Sequence, residues 1–152
     1  YDYQTLAIES TSGREIYQVS YSEAIAQIQL VKEKYGNSDL FGKEKDESFM
    51  SSISTIYQTF EGGDLYPSIE EKAANLLYLV TKNHSFIDGN KRIAAFLFLY
   101  FMEKNHILYD ENDRKRIADN ALVALTLMIA VSNTEEKDTI TKVIVSLINK
   151  NN

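Results

Sequence analysis

Residues 68–102 have the sequence SIEEKAANLLYLVTKNHSFIDGNKRIAAFLFLYFM, and this stretch decides the fold. Ser68 and Glu71 have the capping-box spacing, in which each side chain bonds the backbone N–H of the other residue at a helix start. Apolar residues then recur at helical spacing as far as Val80. After a short polar loop, residues 93–102 are apolar almost all round, as expected of a helix enclosed by others. The stretch therefore predicts two packed helices joined by a polar loop.

Apolar residues at helical spacing predict four further helices outside this stretch. Ser20 and Glu23 repeat the capping-box spacing, and glycines or polar pairs end most of the patterns. Together with the first pair, these helices predict an all-α domain, a bundle of about six helices. The four additional helices are predicted over residues 20–36, over residues 49–60, over about residues 113–131, and over about residues 135–148 with Thr134 as N-cap.

The segments between the helices are short and mostly polar. A brief alternation over residues 15–19 predicts an extended piece, and residues 37–46 form a predicted surface loop in which Leu40 and Phe41 turn back towards the core. We predict a weakly structured N-terminal extension over residues 1–20 and one helical domain over residues 21–150. Because the chain opens on Tyr-Asp-Tyr, we expect it to be a C-terminal fragment of a longer protein.

Composition excludes several classes of function. The chain has no cysteine, which removes disulfides, thiolate metal sites and thiol nucleophiles, and which suits the cytoplasm. A formal charge of -6 argues against an extensive nucleic-acid surface, since such surfaces need Lys and Arg to neutralise phosphates. The longest apolar run is much shorter than the ~20 residues that cross a bilayer, so we expect no membrane partner.

The polar loop between the two packed helices concentrates ionisable residues. If Asn90 begins the second helix, the free N–H groups at its first turn form a site for an anion, and Gly89 lets a phosphate approach the backbone closely. Lys91 and Arg92 would add positive charge. Asp88 is a candidate ligand for Mg²⁺, which prefers one or two carboxylates with phosphate oxygens and water. His84 is then available to accept a proton from a hydroxyl.

The polar residues of this loop also have a purely structural interpretation. A His and an Asp four residues apart in a loop usually carry no chemistry, and a Lys-Arg pair at a helix start is commonly just solvated. However, positive charges oppose the dipole at a helix N-terminus, where a sequence shaped only for stability favours Asp or Glu. A bound anion would remove that conflict. The combination therefore favours a phosphate site.

His84-Ser85-Phe86-Ile87-Asp88-Gly89-Asn90-Lys91-Arg92 resembles the motif of the Fic/Doc superfamily. The usual form is His-Pro-Phe-x-Asp/Glu-Gly-Asn-Gly/Lys-Arg, followed after two intervening residues by another Arg. The chain departs from it at Ser85, where Pro is usual, and at Ala95, where the second Arg is absent. Asp39-Leu40-Phe41-Gly42-Lys43-Glu44-Lys45 and Asp64-Leu65-Tyr66-Pro67 also resemble the Fic-like C-terminal part of RhuM-type virulence-associated bacterial proteins.

The resemblance implies a helical bundle with a short flap before the motif helix pair, and a transferase that uses ATP and Mg²⁺ to modify a protein hydroxyl. It implies His84 as the catalytic base, Phe86 as a core anchor and Asp88 as the metal ligand. It also implies two sets of contacts, with the nucleotide phosphates through Gly89, Asn90, Lys91 and Arg92, and with the target protein through a flap containing Gly62, Gly63, Asp64 and Leu65.

Two positions favour one branch of the superfamily. Lys91 replaces the small Gly that is usual in the adenylyl-transferring members, and Ala95 lacks the second Arg, so the chain resembles the Doc toxins, which transfer phosphate. Adenylyl transfer remains an alternative, and a non-catalytic nucleotide-binding adaptor is a third. Ser132 and Glu136 match the inhibitory helix of many members only by chance, because Lys137 follows them. Restraint by a separate antitoxin is therefore the expected regulation.

Overall fold

The computed structural model describes residues 11–36 and 38–149, and helices dominate them. Within these residues a two-stranded antiparallel hairpin of β1 (Thr59–Phe60) and β2 (Gly63–Asp64) separates the second helix from the third. The all-α prediction is confirmed. The helices are α1 (Tyr21–Tyr35), α2 (Ser48–Ile56), α3 (Ile69–Asn83), α4 (Asn90–Lys104), α5 (Asp119–Val131) and α6 (Lys137–Ile148).

The helix α3 lies at the centre of the bundle. It packs against α2, α4, α5 and α6, with its most extensive contact to α4. Eleven of its fifteen residues are buried, so α3 is more enclosed than an amphipathic surface helix. On α4 the buried face includes Ile93, Leu97, Phe98 and Phe101, while both ends of the helix carry exposed charges. The predicted pair of packed helices is therefore the centre of the core.

The second helix ends earlier than its apolar pattern predicts. The expected range of residues 49–60 is wrong at its C-terminal end, because α2 stops at Ile56 and the chain enters the hairpin. Glu61 and Gly62 both have positive φ, at 51° and 84°, as the two central residues of a type I′ turn require. Phe60 lies on β1 with 71% of its surface exposed, so it does not extend the apolar face of α2.

Two other helix starts also differ from their predictions. The fifth helix begins at Asp119 instead of near residue 113, because the side chain of Asp110 accepts the backbone N–H groups of Asn112 and Arg114 and holds residues 110–114 in a turn. The last helical segment is capped by Asn133 instead of Thr134. Asn133 forms a reciprocal capping box with Glu136 around a 3₁₀ turn, and α6 follows directly.

The loops before and after α1 differ in part from the expected arrangement. No strand forms over residues 15–19; instead, the side chain of Asn105 accepts the backbone N–H groups of Ile16 and Tyr17. Phe41 is buried as predicted, but Leu40 is 45% exposed. Residues 1–10 of the predicted N-terminal extension lie outside the described residues, as do residues 37 and 150–152.

A buried ion-pair cluster connects the hairpin, α3 and the segment before α1. Lys72 is 1% exposed, and its ammonium lies 2.8 Å from the Glu15 carboxylate and 3.1 Å from that of Asp64. It also donates to the carbonyl of Tyr66. Arg14 lies 3.3 Å from Asp64 on the exposed side. The cluster fixes the hairpin to the first half of α3.

None of the described helices combines the length and the apolar composition needed to span a membrane.

Candidate active site

The motif loop, residues 84–89, connects α3 to α4 and pairs with a segment that precedes α2. We call residues 41–45 the support segment. The Lys45 N–H donates to the Ser85 carbonyl at 2.8 Å, the Ile87 N–H to the Lys43 carbonyl at 2.8 Å, and the Gly42 N–H to the Asp88 carbonyl at 3.0 Å. These bonds hold the motif loop along its whole length, as the strands of a sheet hold each other.

The support segment is itself attached to the first helix and to the core. Tyr21 on α1 donates to the Glu44 carboxylate at 2.7 Å, and this bond raises the pKa of Tyr21. Phe41 is buried. The motif loop therefore rests on a fixed part of the fold.

Phe86 and Asn90 fix the interior side of the motif loop. Phe86 is fully buried, with its ring centroid 4.9 Å from that of Phe49 on α2. The Asn90 side chain accepts the Phe86 N–H at 2.9 Å and donates to the Phe86 carbonyl at 2.7 Å. Both polar ends of the Asn90 amide are thus used within the protein. What Asn90 offers an anion is its backbone N–H at the start of α4.

Gly89 has a conformation and a neighbour that exclude a side chain. Its φ is 89°, and a Cβ added there would lie 2.4 Å from the ring of Phe41. No side chain of the described residues caps α4 at this position, so its first N–H groups lie at the cavity described below without an acceptor from this part of the chain. The structure therefore forms a helix N-terminus that an anion can approach closely.

Gly89→Ala is expected to lower the free energy of unfolding by about 1–3 kcal/mol more than Gly13→Ala, because overpacking a filled site costs that much. Gly13 is a matched control, since its φ is 88° and a Cβ there would meet nothing within 4 Å. Both variants carry the same cost of positive φ, and only Gly89→Ala meets Phe41. Urea denaturation of the two variants measures the difference; equal losses would mean that the Phe41 ring moves aside freely.

An open cavity of about 570 Å³ lies at the N-terminus of α4. Lys91 and Arg92 are exposed on its wall, and the Lys91 ammonium has no partner in the described part of the chain. Arg92 lies over the Phe41 ring and donates to the Tyr35 carbonyl at 3.2 Å, which leaves further guanidinium N–H groups for a ligand. The complete lining consists of Phe41, His84, Ile87, Asp88, Gly89, Asn90, Lys91, Arg92, Ala95, Val123, Thr126 and Leu127.

The family model described as the Fic/DOC family matches residues 18–102, which is more than half of the chain. The chain belongs to the Fic/Doc family. It is also similar to Toxin Doc of Mycolicibacterium smegmatis, with 47% identity over 53 residues. That alignment covers 33% of this chain and 41% of the toxin, so the chain spans less than half the length of this curated relative.

The fit of Asp88 to the Mg²⁺ of the Fic/Doc reaction can be tested on its surroundings. Asp88 is exposed at the cavity, and its carboxylate has no hydrogen bond or ion pair within the described residues. The described residues contain no group of three or more His, Cys, Asp or Glu that could hold a metal alone. One free carboxylate beside a phosphate site suits Mg²⁺, which takes its other ligands from phosphate and water. Asp88 therefore fits the expected ion.

His84 stands at the C-terminus of α3 with a left-handed backbone, at φ 52°. Its ring is exposed at the cavity, and its Nδ1 lies 2.8 Å from the Lys45 ammonium. The neighbouring Ser85 is buried and shares a 2.6 Å hydrogen bond with Ser48 on α2. Ser85 occupies the position where Pro is usual in the family, and this hydrogen bond restrains the chain there.

Within the described residues, the lining of the cavity at His84 includes no residue of the predicted flap. Gly62 and Gly63 lie in the hairpin, and Asp64 is held by the Lys72 cluster. Lys72 precedes His84 by twelve residues, which corresponds to ~18 Å along a helix. Leu65 is 44% exposed on the same hairpin connection. The segment beside the motif loop is instead the support segment.

Sequence reasoning missed several residues of the site. Lys45 contacts the motif histidine from 39 residues away, and Phe41 forms the floor below Gly89. Val123 and Leu127 of α5 supply an apolar wall and are 56% and 51% exposed. Local spacing carries no sign of these contacts. The available signals were the predicted burial of Phe41 and the resemblance of residues 39–45, and neither placed the support segment beside the motif loop.

Proposed function

We propose that this domain transfers a phosphate-containing group from ATP to a protein hydroxyl, with His84 as the base. The observation that carries the proposal is the shared cavity in which His84, Asp88 and the uncapped start of α4 meet Lys91 and Arg92. A helix N-terminus with two adjacent cations attracts a polyphosphate, and a histidine on the same wall serves proton transfer. Family membership supports the same reaction class.

The reaction follows from the placement of these groups. His84 takes the proton of the target hydroxyl, and the electron pair of that oxygen forms a bond to phosphorus. The bond between phosphorus and the leaving nucleotide oxygen breaks, so ADP leaves if the γ-phosphoryl group is transferred. The N-terminal amides of α4, with Lys91 and Arg92, stabilise the negative charge on the phosphate oxygens. The imidazolium then releases its proton to water.

Asp88 would hold the Mg²⁺ that accompanies ATP. That ion neutralises charge on the phosphate chain when it is bound. The Asp88 carbonyl accepts the Gly42 N–H, and this bond holds the Asp88 backbone in place beside the cavity. Val123 and Leu127 offer apolar contact for the less polar part of the nucleotide.

Transfer of the γ-phosphoryl group, as in Doc, is the version that we favour. Lys91 adds a second cation at the start of α4, and Ala95 lines the cavity at the position where the adenylyl-transferring members carry another Arg. The cations are therefore concentrated in the first turn of α4 instead of spread along it. Similarity to a toxin supports a role as the toxic half of a pair with an antitoxin, acting on a protein in the cytoplasm.

Two parallel incubations test the proposal. The domain is mixed with bacterial lysate and Mg²⁺, with ATP labelled either at the γ-phosphate or at the α-phosphate, and His84→Ala serves as control. Label transferred to protein from the γ position alone, and lost in the control, is the expected result. Label from the α position would establish adenylyl transfer instead. No label from either position, together with ATP binding to the domain, would favour a non-catalytic adaptor.

A further inference from the structure

The Lys45 side chain hydrogen-bonds the ring of the proposed base, and it comes from outside the motif. Its ammonium lies 2.8 Å from Nδ1 of His84. Lys45 belongs to the support segment, and its backbone N–H bonds the carbonyl of Ser85 at 2.8 Å. A main-chain hydrogen bond therefore joins Lys45 to Ser85, the residue that follows His84.

Two further contacts fix the position of the histidine relative to α2. The Asn83 amide donates to the Ser52 hydroxyl at 2.9 Å, and Ser85 bonds Ser48 at 2.6 Å. Both neighbours of His84 in the chain are thus held by α2, which begins three residues after Lys45. The hydrogen bond between Lys45 and the His84 ring thus connects two segments whose main chains are already held in place.

The chemistry of the two side chains determines which ring nitrogen accepts. An ammonium has three donors and no acceptor, so Nδ1 of His84 must present its lone pair to Lys45. A neutral imidazole has one such lone pair, and its proton then lies on Nε2. Nδ1 is consequently the nitrogen that can take a hydroxyl proton, and the Lys45 ammonium occupies the place where that hydroxyl must donate.

We propose that Lys45 is a positioning residue for His84, which keeps the lone pair of the ring on Nδ1 until the target hydroxyl replaces the ammonium there. This inference rests on the proposed role of His84 as the base. In the reaction the hydroxyl proton moves to Nδ1 and the oxygen electron pair moves to phosphorus, while Lys45 keeps its own three protons. Lys45 therefore acts through the orientation and protonation of the ring.

Three variants separate this role from a general effect of charge. Lys45→Met removes the donor and keeps most of the side-chain length, whereas Lys45→Arg keeps a cationic donor. Lys43→Met is the matched control, because Lys43 is an exposed lysine of the same support segment with no side-chain contact to His84. All three are made in the full chain, and urea denaturation confirms that each variant is folded.

The first measurement does not depend on transfer activity. Diethyl pyrocarbonate acylates an imidazole nitrogen through its lone pair, and the protein has two histidines, so His106 is an internal reference. Mass spectrometry gives the rate of modification of His84 relative to His106. We expect this ratio to rise about two- to fivefold in Lys45→Met, the order expected for the loss of one exposed hydrogen bond, and to stay unchanged in Lys43→Met. An unchanged ratio in Lys45→Met would overturn the proposal.

The second measurement is the split between kcat and KM in the labelled-ATP assay. Because loss of the Lys45 donor lets the ring proton move to Nδ1, where it blocks the base, Lys45→Met is expected to lower kcat about two- to fivefold with little change in KM for ATP, and Lys45→Arg to recover most of it. Equal losses of kcat in Lys45→Met and Lys43→Met would overturn the assignment, as would an unchanged kcat. If the unmodified protein transfers no label, the proposed function fails, and the modification ratio alone decides whether Lys45 controls the ring.

Discussion

Replacing Lys72 with methionine is expected to lower the free energy of unfolding by about 3–5 kcal/mol, because removing one partner leaves buried charge without compensation. The Lys72 side chain is 1% exposed, and its partners Glu15 and Asp64 are 2% and 13% exposed. Methionine fills a similar volume, so the loss comes from the carboxylates and not from a cavity, and chiefly from Glu15, because Arg14 still lies 3.3 Å from Asp64. The Tyr66 carbonyl loses its donor as well.

Lys142→Met is the matched control for this prediction. Lys142 forms an ion pair of 3.1 Å with Asp138, one turn earlier on α6. The side chain of Lys142 is 27% exposed and that of Asp138 is 84% exposed. Such a surface pair contributes about 0.3–0.5 kcal/mol. Urea denaturation of both variants compares the two pairs directly. Similar small losses for Lys72→Met and Lys142→Met would show that water reaches the Lys72 cluster.

Lys72→Met is also expected to change the acid stability of the domain. Burial by itself would raise the pKa of Glu15, but the Lys72 ammonium and the Gln18 amide outweigh burial and lower that pKa below its usual value. A carboxyl group with a lowered pKa stabilises the fold above its usual pKa, and this contribution is lost as the pH falls through the lowered value. In Lys72→Met the lowering disappears. Between about pH 5 and 3, the variant should therefore lose less stability than the unmodified protein.

Helix starts were predictable wherever a side chain and a backbone N–H define them locally. Ser20 accepts the Glu23 N–H at 3.1 Å, and Ser68 accepts the Glu71 N–H at 3.0 Å. The reciprocal half of each predicted capping box does not form in the described residues, because the Glu23 carboxylate accepts from Tyr17 and Tyr100, and that of Glu71 accepts from the Ser68 hydroxyl. Gly36 ends α1. These signals involve residues within a few positions of each other, so they can be recognised without knowledge of the tertiary structure.

The sequence analysis did not predict the hairpin after α2, because apolar residues in and before it continue the spacing of a helix. Tyr57 and Phe60 continue the helical spacing of α2, yet Phe60 is exposed on β1. The turn depends on positive φ at Glu61, a residue type that gives no sign of it. Periodicity predicts which residues can share a face, and in this case the backbone leaves the helix before the last of them.

In the candidate site, the residues that are contiguous in sequence were predictable, and those from a distant segment were not. His84, Asp88 and Lys91 belong to one continuous stretch, and they line one cavity. Lys45 and Phe41 come from a segment about 40 residues earlier, and their contacts depend on the pairing of the support segment with the motif loop. Such long-range pairing has no local signature.

His84→Ala is expected to lower the rate of transfer to protein about 10²–10⁴-fold, the usual contribution of a general base. His106→Ala is the control, and the chain provides a close match. Both histidines are exposed, and both have left-handed backbones, with φ at 52° and 61°. Alanine therefore carries a similar backbone cost at each position. The fold should respond alike to the two substitutions, and only His84→Ala should affect transfer.

His84→Asn removes the base while keeping a residue type that accepts the left-handed conformation. Its transfer rate should fall as far as that of His84→Ala, because an amide cannot take the hydroxyl proton. Binding of ATP with Mg²⁺, measured by calorimetry, should change little in either variant, since we propose that the phosphates contact the start of α4. A rate loss with unchanged binding assigns His84 to proton transfer. A loss of ATP binding that matches the loss of rate would mean that the ring holds the nucleotide, and another group would have to accept the proton.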